Sequence, residues 1–309
     1  MVQVEPGLVA AAEVTAEVTM WLILGTNGQL GRSMLDALLI HGLPTHGAGR
    51  SECDITNYGE VEHLVREVSP THVVNCAAWT AVDAAEDHEA AAMRLNSLGA
   101  ENVARACSSA GARLFHISTD YVFAGDKIGP YEVDDETVPA TKYGESKLSG
   151  ELAVRREHGN NSCVVRTAWL YSKYGNNFVK TMIRRALADA PVQVVNDQVG
   201  QPTSAAELAH HLIALAQHMA PAGVYHGTNS GQGTWFDFAR EIYDLAGRSI
   251  QLVSPVSSSQ FPTKARRPRN SVLSHTRTVA VGVHEMRPWK EALADDIRAI
   301  ISEVEQESN

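Results

Sequence analysis

The apolar run Trp21-Leu22-Ile23-Leu24 passes directly into Gly25-Thr26-Asn27-Gly28-Gln29-Leu30-Gly31. A short buried strand that ends in glycines at three-residue spacing, and then takes on a helical pattern, is the opening of a βα unit. Gly25 permits the tight turn, Gly28 lets a backbone approach a pyrophosphate, and Gly31 lets the helix pack close to its strand. The helix amino terminus then faces the phosphates with free N–H groups and a partial positive charge. The same spacing also serves an ordinary strand-to-helix turn, so the motif needs support from the rest of the chain.

That support begins with periodicity. Trp21–Leu24, Thr71–Cys76, Leu114–Ile117, Cys163–Thr167 and Val192–Val195 have the short apolar pattern of strands, and residues 29–41, 58–68, 88–110, 143–156, 176–188 and 205–219 have helical spacing. Such alternation predicts an α/β fold with a Rossmann-type doubly wound parallel sheet, helices on both faces and ligands at the carboxyl ends of the strands. After about residue 222 the alternation fades, and Ser254–Pro268 has the composition of a loop. The expected organisation is a loosely ordered extension over 1–19, a dinucleotide-binding domain over 20–170, and a smaller substrate-binding lobe over 171–309 interleaved with the main sheet.

Composition narrows the class. The chain of 309 residues is 44% apolar and 20% charged, and no apolar run approaches the length of a membrane span. Val2 to Thr19 carries three glutamates and no Lys or Arg, so the basic start of a secretory signal is missing. A formal charge of −10 argues against nucleic acid as partner and favours a small molecule. The four cysteines show no C-x-x-C spacing, and Cys76 and Cys163 fall in apolar strands, as suits a reducing, cytoplasmic compartment.

The chemistry is carried by Tyr143 and Lys147, four apart on one face of a helix, and by Thr119 after a strand. An ordinary tyrosine, with a pKa near ~10, is a poor acid or base at neutral pH, and a nearby ammonium is expected to lower that value. Thr119 supplies a hydroxyl for a carbonyl oxygen, in the manner of an oxyanion site. Where a nucleotide-binding unit often places a carboxylate on the ribose, this chain has Gly49-Arg50-Ser51, which favours a 2′-phosphate and hence NADPH, with NADH still possible. Asp54-Ile55 follows; Asp54 either accepts from adenine or caps the next helix.

The strings GTNGQLG, DIT, NCAAWTAVDAAE, STDYVFAG, YGESKLSGE, RTAWLY, NNFVKTM, VVNDQVGQPT and HGTNSGQGTWFDFA, spread over about residues 20–300, resemble the dTDP-4-dehydrorhamnose reductase family of the extended short-chain dehydrogenase/reductase superfamily. STDYVF and DQ-x-G-x-PT are the most telling, since generic nucleotide binding requires neither. The resemblance implies NADPH-dependent reduction of the C4 keto group of a dTDP-6-deoxy-4-hexulose, giving dTDP-L-rhamnose. It makes Tyr143 the proton donor and Lys147 its partner, which also holds the nicotinamide ribose. Gly28, Gln29 and Leu30 would lie under the pyrophosphate, Asp54 and Ile55 beside adenine, and Ala77, Ala78, Trp79 and Thr80 along the inner half of the cofactor. Thr119, Asp120 and Trp169 would face the sugar, with Thr80, Val82 and Asp83 as further pocket candidates; Arg266, Arg267 and Arg269 either bind the diphosphate or are solvated.

Some members of that family bind magnesium through acidic residues, one near the first helix. Here the helix begins Gly31-Arg32-Ser33 without a Glu, so no metal is expected to be required, and a homodimer stays open. His210, His211 and His218 are expected at solvated helix positions and His116 as a core histidine. Two other functions compete: another sugar-nucleotide epimerase or dehydratase, and a non-catalytic NADP-binding regulator like the regulatory β-subunit of methionine adenosyltransferase. The intact Thr119/Tyr143/Lys147 set favours catalysis.

Overall fold

The computed structural model describes residues 19–307, so all but the last residue of the expected N-terminal extension lies outside it. Six parallel strands form the central sheet: β1 (Trp21–Leu24), β2 (Thr45–Ala48), β3 (His72–Asn75), β4 (Arg113–Thr119), β5 (Ser162–Thr167) and, after β6 (Val192–Val195), β7 (Gly223–His226). Their order is β7-β5-β4-β3-β1-β2, with Leu24 beside both Ala48 and Asn75. Because β1 is followed by β2 on one side and flanked by β3 on the other, the chain reverses direction at β1/β3. Sheets of this kind open a ligand crevice at such a point.

All four β1 residues are buried, as a strand covered on both faces requires. One cover is α1 (Gln29–Ile40) with Ala205–Gln217, burying Leu30, Met34, Leu38, Leu208 and Leu212 against Trp21 and Ile23. Each such side chain contributes about 1.5–3 kcal/mol of burial. The other cover is α2 (Tyr58–Val68), the helix ending in Gly99–Ala110, and α4 (Lys142–His158), where Val61, Val103, Val154 and Leu22 meet. We call α3 the continuous run Glu89–Ala110, in which Arg94–Leu98 is a π turn.

The sequence boundaries for these helices hold within about two residues, because the stop and start signals are local. Asn57 caps α2 by accepting from the Gly59 N–H at 3.1 Å, Thr141 caps α4 through Gly144 at 3.0 Å, and Gly111 ends α3 at φ +69°. Phe178–Leu187 (α5) also lies where its pattern puts it.

Two corrections concern the strands. Val192–Val195 belongs not to the central sheet but to a separate parallel pair with Val253–Val256 (β8), which takes the start of the stretch expected to be loop. The edge strands β2 and β7 carry too little apolar pattern to be seen in sequence. The second lobe also contains Trp235–Leu245 (α6) and Trp289–Glu307 (α7), which pack with α5 around Phe238, Tyr243, Leu293 and Ile300. Among the described residues, no helix is long and apolar enough to cross a membrane.

Candidate active site

At the β1/β3 crevice the glycines separate into two roles. A Cβ on Gly25 (φ +84°) would lie 2.7 Å from Ala77 N, and one on Gly31 2.3 Å from Gly25 O, so both are fixed by backbone-to-backbone approach. Gly28 is different: the nearest atom to a Cβ there is Gly25 O at 3.4 Å, and no side chain caps α1 at this position. Its openness, and the free amino terminus of α1 with no acidic residue in the first turn, fit a phosphate group. Leu30 is core and can serve such a group only through its backbone N–H, while the Gln29 side-chain oxygen accepts from Asn177 Nδ2 at 3.0 Å.

The loop after β2 departs from expectation. Glu52 Oε2 accepts from the Gly49 N–H at 2.9 Å, so a carboxylate does stand at the end of this strand, supplied from three residues on. Arg50 is 86% exposed, with its guanidinium 4.0 Å from Asp54. Asp54 Oδ1 accepts from the Thr56 N–H at 2.9 Å, and that bond holds its carboxyl below the usual range. Helix capping falls to Asn57. Ile55 is buried against Gly99, with its carbonyl taken by Asn102 Nδ2 at 2.9 Å, so its side chain faces the core and not the sheet edge.

Thr119 ends β4, and the first turns of α4 bring Tyr143 and Lys147 to the same edge. The Thr119 hydroxyl donates to Asp120 Oδ1 at 2.9 Å and accepts from the Tyr121 N–H at 3.3 Å. Tyr143 packs with Ala85, Ala92, Trp79, Val82 and Tyr121. Burial pushes its phenol well above the ordinary range, against the opposing influence of the Thr119 hydroxyl. The expected lowering by Lys147 is not found: that ammonium, 3% exposed, donates to the Ile117 carbonyl at 2.6 Å. Burial instead brings Lys147 down to about 8, while the Glu151 carboxylate raises it. Tyr143 is thus held protonated at neutral pH, the form that gives up a proton. Asp120 is buried, with Oδ2 lacking a hydrogen-bond partner, and burial raises it to about 6.

Behind these groups stand residues the sequence reading missed. Asn96, inside the π turn, accepts from the Trp79 N–H at 2.8 Å and donates to the Trp79 carbonyl at 3.1 Å and to Ser146 Oγ at 2.9 Å. One side chain therefore pins the loop after β3 to the helix bearing Tyr143. Glu151 binds Arg166 through two bonds of 2.9 and 2.7 Å and accepts from Ser118, a buried charge pair beside Lys147. No local pattern marks either; Glu151 sits four residues after Lys147 and was the available hint.

On the second lobe, Trp169 stacks on Trp235 with centroids 3.7 Å apart, at φ +47°. Non-glycine residues held at such φ cluster at functional sites. A cavity of about 840 Å³ lies nearby, lined among others by Phe178, Arg185, Trp235, Phe261 and Arg267. Of the arginine candidates, Arg266 and Arg269 are exposed, whereas Arg267 pairs with Asp83 and donates to the Tyr121 hydroxyl at 3.3 Å. Ala77, Ala78 and Trp79 are half-buried along the crevice, and Thr80 is exposed.

Among the described residues, no group of three or more His, Cys, Asp or Glu side chains is placed to hold a metal ion. His116 is a buried core histidine with Asn75 at 3.3 Å. Of the helix histidines, His210 contacts His41 at 3.1 Å in solvent, but His211 is buried, since the Ala205–Gln217 helix turns that face onto the sheet.

A family model described as the RmlD substrate binding domain matches residues 19–301. The chain is 44% identical over 284 residues to a dTDP-4-dehydrorhamnose reductase of Streptomyces griseus, covering 91% of this chain and 93% of that one. It is 41% identical over 275 residues to a dTDP-4-keto-6-deoxy-D-glucose reductase of Streptomyces niveus, covering 88% and 94%. The crystal structure of a dTDP-4-dehydrorhamnose reductase from Bacillus anthracis in complex with NADP superposes with a TM-score of 0.87 at 39% identity, covering 91% of this chain and 99% of that one. A UDP-glucose 4-epimerase of Thermus thermophilus, 21% identical with a TM-score of 0.76 over 93% and 99% of the two chains, shares the fold. The chain belongs to the dTDP-4-dehydrorhamnose reductase family and is an oxidoreductase.

Proposed function

We propose that the protein reduces the C4 keto group of dTDP-6-deoxy-L-lyxo-4-hexulose with NADPH, giving dTDP-L-rhamnose, as a cytoplasmic enzyme. The carrying observation is the meeting of Thr119, a protonated Tyr143 and Lys147 at the sheet edge next to the glycine crevice. When bound, the nicotinamide supplies a hydride to C4. Tyr143 gives its proton to the keto oxygen, so that C4 gains one hydride and its oxygen one proton. Thr119 steadies that oxygen with its hydroxyl, and the Lys147 ammonium, whose charge Glu151 favours against burial, holds the nicotinamide ribose from the same helix face. NADPH is supported by the exposed Arg50 and by the NADP complex of the Bacillus anthracis protein. The 2-domain assignment follows the same reading: residues 20–170 for the cofactor, and the aromatic-lined cavity of 171–309 for the nucleotide sugar.

A second substrate has specific support. The Streptomyces niveus relative is named for a 4-keto-6-deoxy-D-glucose, so the configuration of the sugar at C3 and C5 is the point at issue. Reduced-nicotinamide absorbance followed with each keto sugar, with and without EDTA, decides. The expected result is oxidation only with the L-sugar, unchanged by chelator. Oxidation with the D-sugar alone would replace the substrate, and sugar interconversion without net NADPH loss would indicate an epimerase.

A further inference from the structure

We propose that Arg267 is a positioning residue that couples the nucleotide cavity to the catalytic tyrosine. The inference rests on the proposed function, because it takes the cavity to hold the diphosphate of a nucleotide sugar. Asp83 grips the loop bearing Arg267 twice, with Oδ2 on the guanidinium and Oδ1 accepting from the Ala265 N–H at 2.9 Å. Lys264 adds a third tie by pairing with Asp87. The second lobe is thereby strapped to the helix Val82–Ala85 of the first. Held so, Arg267 donates to the Tyr121 hydroxyl at 3.3 Å and also lines the cavity.

Tyr121 stands edge-on to Tyr143, ring centroids 5.5 Å apart and inclined by 74°. Of the five guanidinium donors, those on Nη1 and Nη2 engage Tyr121 and Asp83, leaving others for an anion in the cavity. An incoming diphosphate draws on the same planar group that fixes Tyr121, and Tyr121 in turn fixes the ring of Tyr143. A residue serving only as a latch between lobes would influence folding and the strap, but would not act through Tyr121.

A double-mutant cycle separates the two roles. Arg267→Met is expected to weaken binding of dTDP, the probe ligand, by about 10-fold and to lower kcat by about 10-fold, as loss of a charge-assisted contact does. Tyr121→Phe should lower kcat by a similar factor while leaving dTDP affinity unchanged. Because the two act in series, the double variant should show a kcat no lower than the worse single variant, with the affinity loss intact. Arg267→Lys should restore most of the dTDP affinity but not kcat, since an ammonium lacks the planar fork. Melting temperatures within a few degrees of wild type show that the variants fold. Multiplicative losses in kcat, or unchanged dTDP affinity in Arg267→Met, would overturn the proposal. A wild type that binds dTDP but fails to oxidise NADPH with either keto sugar would overturn the functional reading instead, and the dTDP titration still tests the Arg267 contact.

Discussion

At the scale of single residues, the site works by burial. Tyr143 is kept protonated because the low-dielectric surroundings disfavour its phenolate, and Lys147 is brought down to about 8 for the same reason applied to a cation. The sign follows directly. The folded pKa of Lys147 lies below its unfolded value of 10.5, so the ammonium is lost in the fold as pH rises through about 8. Between those values the unfolded chain binds the extra proton, and this group makes the fold more stable as pH rises. Activity moves the opposite way. The kcat/KM for NADPH, which reports the free enzyme, is expected to fall above pH about 8, and a profile flat to pH 10 would contradict the role of Lys147.

Arg50 carries a second residue-scale prediction. With Glu52 anchored on Gly49, the loop holds both signs of charge, and discrimination rests on the exposed guanidinium. Arg50→Ala should cost about 10-fold in kcat/KM for NADPH, the usual size of one charge-assisted contact, and leave NADH use nearly unchanged. Parallel losses with both cofactors would remove Arg50 from the phosphate. The meeting of Thr119, Tyr143 and Lys147 at one edge was legible in sequence because a helix makes i and i+4 neighbours of Tyr143 and Lys147. Glu52 and Asn96 were not, because each acts through a partner that only folding supplies, and nothing in the sequence separated Arg267 from Arg266 and Arg269 until Asp83 and Tyr121 were seen to hold it.

At the scale of elements, legibility tracked local signals. Helices with a cap, a glycine stop and an apolar stripe were visible, whereas β2 and β7, at the sheet edges, are short and bear polar residues such as His46 and His226. α6 could have been found: Thr234 and Asp237 form a reciprocal capping box, with bonds of 3.0 Å in both directions. The π turn of α3 has no sequence signature, yet it carries Asn96 into the site. The close packing of α1 on its own turn gives a prediction of element placement. A Cβ at position 31 meets Gly25 O and Thr26 Cα at 2.3 and 2.8 Å, so Gly31→Ala must push α1 off β1. It should destabilise the protein by about 1–3 kcal/mol and weaken NADPH binding, both readable by thermal melts with and without cofactor. Wild-type stability in that variant would mean that the turn relaxes freely.

At the scale of the whole molecule, the two lobes meet where the sheet ends. β7 returns from the second lobe to complete the central sheet, and the strap at Arg267 crosses back to Asp83. The aromatic-lined cavity is joined to Tyr143 through Arg267, which lines it and donates to Tyr121, the ring that stands edge-on to Tyr143. The parallel sheet and its helices followed from the alternation of patterns, while the way β6 and β8 pair outside that sheet depends on contacts distant in sequence. The central claim is that the Tyr143 phenol supplies the proton. Its most direct test is the turnover of Tyr143→Phe with saturating NADPH and keto sugar, beside NADPH binding by the same protein. The ring is retained and the lost step is general acid catalysis, so kcat should fall by about 10²–10⁴-fold with NADPH affinity unchanged. A kcat within tenfold of wild type would contradict the account.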